Sequence, residues 1–159
     1  MIFDLKGFIV IPSVLDRDET SRVRSHVEQY SKSPESLPRE LRAPMAGPAE
    51  FLIDHPRVLG ILTALIDPEP ARLRLESVFV SRRSVDSHKG ENAAEWRPHA
   101  GSSIQPSFNY KTGPNGQIFA GMTRVVWELQ EVVEGKGGTC LMPGSHKAAL
   151  GSSNYHVCA

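Results

Sequence analysis

The alternation of apolar and polar positions changes period along this chain, and each change predicts an element. Gly7-Phe8-Ile9-Val10-Ile11-Pro12 is a short, β-branched apolar run. It predicts a strand closed by Pro12, because proline brings no N–H to a ladder. Asp16 then stands at a helix N-cap position, with Glu19 three residues on as the reciprocal half of a capping box. The helix this predicts runs from Arg17 to about Ser31, and Val23, Val27 and Tyr30 share one of its faces.

Ser33 to Pro48 holds four prolines and Gly47, which predicts a long loop, either a lid over a site or an irregular wrap, with the wrap favoured. Asp54 is placed to cap a second helix with Pro56 in its first turn and a stripe of Val58, Leu59, Leu62, Leu65 and Ile66. Asp67-Pro68-Glu69-Pro70 ends that helix, since the residue before a proline is pushed out of helical geometry. From Arg72 the period becomes two. Leu73, Leu75, Ser77, Phe79 and Ser81 face one way, and Arg74, Glu76, Val78 and Val80 the other, which predicts a strand. Ser84 to Glu95 is polar and predicts a loop. Phe108 to Tyr110, Ile118 to Glu131 and Thr139 to Met142 are further strand candidates. They are separated by the turn signals Gly113-Pro114-Asn115-Gly116 and Gly135-Lys136-Gly137-Gly138. The expected class is α+β, with helices packed on an antiparallel sheet in a single domain over residues 1–159.

Composition narrows the function classes. Apolar residues make up 40% and charged residues 23% of the 159 positions, an ordinary globular mix. Eighteen basic and eighteen acidic side chains cancel, so no overall field favours nucleic acid or an anionic membrane. No apolar run reaches the roughly 20 residues that cross a bilayer, and the start at Met1 lacks the pattern of a secretory signal. Cys140 and Cys158 are too few for a disulfide framework and lack zinc-site spacing. The expected compartment is cytoplasmic, the expected partner a small-molecule substrate, and no feature assigns an oligomeric state.

Two of the six histidines lie in suggestive contexts. His99, in Arg97-Pro98-His99-Ala100-Gly101-Ser102, lies between strand candidates. Neutral imidazole suits Fe(II), and a common iron-oxygenase site joins two histidines and one carboxylate on one face. A His-x-Asp pair in extended backbone aims both side chains at one ion. Position 101 is glycine, so His99 has no such neighbour, and on its residues alone it reads as a hydrogen-bonded structural histidine. His146, in Met142-Pro143-Gly144-Ser145-His146-Lys147, reads as part of a tight turn held by hydrogen bonds.

The apolar run Val125-Val126-Trp127, the paired glycines Gly137-Gly138 and the Pro143-Gly144-Ser145-His146-Lys147 turn resemble the phytanoyl-CoA dioxygenase family. The opening Gly7 to Pro12, followed by Val14-Leu15 and an acid-capped helix, resembles the opening of the same family. The resemblance spans Gly7 to Lys147. It implies a double-stranded β-helix (a jelly roll, cupin-like) with outer N-terminal helices, and hydroxylation by Fe(II), O2 and 2-oxoglutarate. It implies His99 as the first iron ligand. Gly101 falls at the carboxylate position, and His146 precedes the place of the distal ligand. No counterpart of the distal histidine or of the 2-oxoglutarate arginine follows, and Ala148 to Ala159 offers no element to close a sheet. The expectation is a partial β-helix, incomplete at its C-terminus, with an unpaired strand edge. The expected reading is an inactive fragment of an oxygenase, with a non-catalytic binding module on the same scaffold, or a halogenase-type relative with halide in the Gly101 vacancy, as the alternatives. No residue discriminates among acyl-CoA thioesters, small metabolites and natural products as substrates.

Overall fold

A computed structural model describes residues 2–82, 111–112, 118–119, 123–133, 138–139 and 141–147. They fall into two compact units. One holds Pro12–Arg82 with Val126–Glu131, and the other takes the described residues on either side of these segments.

The first unit is built on α2 (Arg17–Lys32), whose start follows from its sequence. The Asp16 carboxylate accepts from the Glu19 N–H at 2.8 Å, and Glu19 accepts from the Asp16 N–H at 2.9 Å. This reciprocal pair satisfies two of the donors that every helix start leaves without an intrahelical partner. We expect Asp16→Ala to cost about 1 kcal/mol, read as a fall in the urea midpoint at constant slope, with Asp16→Asn close to wild type. A larger loss from the asparagine variant than from the alanine variant would contradict the capping account.

The face that α2 buries carries Val23 and His26, with Val27 half-buried beside them. The proline-rich stretch after it wraps in tight 3-10 turns at Pro34–Ser36, Arg39–Leu41 and Gly47–Leu52, the wrap favoured from the sequence. Arg42 ties the loop to itself by donating to the carbonyls of Leu37 at 2.8 Å and Glu35 at 3.0 Å. Val23, Ala49 and Leu52 form the buried cluster, flanked by Leu15, Val27, Met45, Phe51, Trp127 and Leu129. Helix α3 (Pro56–Leu65) buries Val58 and Leu65, both from the expected stripe. Its N-cap is His55 rather than Asp54, and no side chain caps it. Arg57 of α3 donates to the carbonyl of Ser13 at 3.0 Å.

The sheet expectation fails. Among the described residues the only strands are β1 (Lys111–Thr112) and β2 (Ile118–Phe119), an antiparallel pair with Lys111 opposite Phe119 and Thr112 opposite Ile118. Two residues per strand make no double-stranded β-helix, so the jelly-roll, cupin-like α+β expectation is corrected to a mainly helical arrangement of the described residues. The inference of an unpaired strand edge loses its basis with it. The Gly7–Pro12 run is irregular backbone, preceded by a short helix, α1 (Ile2–Lys6), that its sequence does not announce. Residues 73–82 and 123–129 carry no strand pairing either. Between 73 and 82, Leu73, Val78 and Val80 are half-buried while Leu75 and Phe79, of the face expected to be buried from the start, are exposed. β-branched residues make a segment extended, but only a partner backbone makes it a strand. The candidate strand at Phe108–Tyr110 lies outside the described residues.

Candidate functional site

His99 and Gly101, the positions on which the iron reading turns, lie outside the described residues. Among the described residues no three His, Cys, Asp or Glu side chains come together as a metal-binding group.

The Pro-Gly-Ser-His-Lys turn is described, and its partner is the opposite end of the sequence. Ser145–Lys147 forms a single 3-10 turn. His146 Nε2 lies 3.0 Å from the Asp4 carbonyl oxygen. A carbonyl can only accept, so the ring carries its proton on Nε2 and donates. The Gly144 N–H donates to the Lys6 carbonyl at 2.9 Å. The rings of Phe3 and His146 sit with centroids 6.4 Å apart, tilted by 52°. Gly7 closes the approach. Its φ is +82°, and a Cβ there would come within 2.7 Å of His146 Cγ. Glycine is required on both counts, conformation and space. The reading of His146 as a turn residue engaged in hydrogen bonding agrees with this geometry, although the sequence did not show to what it bonds.

Two other histidines, His26 and His55, have defined surroundings. His26 is 5% exposed, and its Nε2–H donates to the Ala43 carbonyl at 3.0 Å, tying α2 to the proline-rich wrap. Its position three residues after Val23, on the face that Val23 starts, is the signal that could have found it. His55 sits between Phe51, with ring centroids 6.2 Å apart, and the edge of Trp127, 5.6 Å away. Its Nδ1 is buried without a hydrogen-bond partner among the described residues. Among the described residues neither histidine is grouped with further donors in the way a metal centre requires.

The charge pattern around α2 is that of a solvated face. Arg24 donates to Glu28 one turn on at 2.8 Å. The hydrogen bond from that guanidinium, and then its charge, holds the Glu28 carboxyl below the ordinary glutamate value. The pair is open to water, so it contributes little to stability. No helix among the described residues is long and apolar enough to cross a membrane. Neither family models, nor curated proteins, nor solved structures give a match to this chain.

Proposed function

We propose that this chain is a member of the phytanoyl-CoA dioxygenase family, within the Fe(II)- and 2-oxoglutarate-dependent oxygenases that act on small molecules, and that on its own it does not turn over. The observation that supports the kinship is the meeting of the two segments that carry the resemblance. Gly7, the first residue of the opening, abuts the ring of His146 in the Pro-Gly-Ser-His-Lys turn. Two motifs that far apart in sequence serve one local structure here, as parts inherited together would.

The donors do not fit a complete iron centre. His99 would bring one imidazole, Gly101 brings no donor atom, and the described residues assemble no further set. Fe(II) with 2-oxoglutarate would supply hydroxylation in a family member with all its ligands. In this chain the missing carboxylate at position 101 fits an inactive family member, and equally a binding module on the same scaffold. The compartment proposed is cytoplasmic, on the ordinary composition and the two cysteines without framework spacing.

Anaerobic titration of the purified chain with Fe(II) and 2-oxoglutarate tests this. We expect no visible charge-transfer band of the ternary complex and no difference between wild type and His99→Ala. A band that His99→Ala abolishes would overturn the non-catalytic reading. Chloride dependence of such a band, with decarboxylation of 2-oxoglutarate once O2 is admitted, would identify the halogenase-type alternative.

A further inference from the structure

We infer that residues 2–7 form a strap, latched by the Pro143–Lys147 turn, that opens and closes as one unit separately from α2. The inference stands independently of the iron reading.

Burial contributes little to holding the strap, where Phe3 is only half-buried with its ring beside that of His146. Helix α1 has five residues, none of them buried, and its apolar Ile2 and Leu5 are 63% and 70% exposed. A helix this short does not persist alone, because nucleation costs more than one turn of hydrogen bonds returns. What holds it is satisfaction of its C-terminal carbonyls, which no helix can satisfy internally. The Phe3 carbonyl accepts from the Gly7 N–H at 2.7 Å, a helix stop with glycine in the left-handed conformation. The Asp4 carbonyl accepts from His146 Nε2 and the Lys6 carbonyl from the Gly144 N–H. The turn is thus a C-cap delivered from a remote part of the chain. Gly144 takes a φ of +80° in delivering it, a conformation that other residues rarely adopt.

The latch couples groups that are distant in sequence. The amides of Gly7 and Gly144 are hydrogen-bonded only when α1 is formed and the turn is seated. The Gly7 bond lies within α1 and the Gly144 bond ends on it, and a helix this short does not persist without the turn, so both amides share one opening event. With its apolar side chains at most half-buried, that event lies at the low end of the stability range, below the opening of α2, which packs Val23 and His26.

Amide hydrogen exchange on the full chain by NMR tests this. The expected result is equal opening free energies at Gly7 and Gly144, smaller than those at interior amides of α2. His146→Ala should speed exchange at both glycines at least about threefold, since it removes the hydrogen bond to Asp4 and the ring contact with Phe3, and leave α2 unchanged. His146→Gln, which keeps an N–H donor, should recover part of the protection. Unequal opening at the two glycines, no response to His146→Ala, or loss of α2 protection together with theirs would each overturn the strap.

Discussion

Val23→Ala and Ala49→Val are each expected to destabilise the chain, and the double variant is expected to lose less than their sum. Val23 is 1% exposed and Ala49 is fully buried, and with Leu52 they form one cluster between α2 and the Gly47–Leu52 turn. Truncating Val23 removes buried methyl groups and leaves a void, a loss of about 2 kcal/mol. Enlarging Ala49 forces atoms into a filled site at about 1–3 kcal/mol. In the double variant the added methyl groups occupy the space that Val23 vacates, so a coupling of at least about 0.5 kcal/mol should appear in the cycle. The core is small: six apolar side chains are buried among the described residues, so each such loss is a large share of the whole. Urea unfolding of the four proteins gives the cycle. Strict additivity would mean that the two side chains do not share a void, and the description of this contact would then be wrong.

What could be read from the sequence was what depends on neighbours within a few residues. The capping box of Asp16 and Glu19 closes over three positions and was found where expected. The proline at the start of α3 and the wrap after α2 were likewise local matters, set by fixed φ and missing N–H groups. The cap of α3 moved by one residue, to His55, because no side-chain hydrogen bond fixes it. Expected strands are missing among the described residues because pattern and propensity report only an extended, half-buried segment. Val78 and Val80 are half-buried without being in a strand, and Gly7 to Pro12 is β-branched without pairing. Helix α1 was invisible for the opposite reason: its support comes from His146 and Gly144, and no local signal points that far. Of the candidate site, the role of His146 as a bonded turn residue was legible and its acceptor was not. His99 rests on the resemblance.

The buried histidine of α2 shows the same limit and leads to the second large effect. His26→Ala is expected to cost about 3 kcal/mol, the sum of a void on the buried face and a carbonyl left without its donor. The two contributions separate by substitution. His26→Leu fills most of the space but offers no N–H, so it should retain the cost of the unsatisfied Ala43 carbonyl, about 1–3 kcal/mol. His26→Gln keeps a donor on a flexible stem and should be the mildest of the three. The order of urea midpoints is then glutamine, leucine, alanine, from most to least stable. If leucine matched wild type, the carbonyl of Ala43 would be reaching water unaided, and the histidine would be there for its volume alone. If the expected order holds, the bond of 3.0 Å to Ala43 is what fastens the proline-rich wrap to α2. A histidine singled out only as one of six would then be a principal tie of this unit.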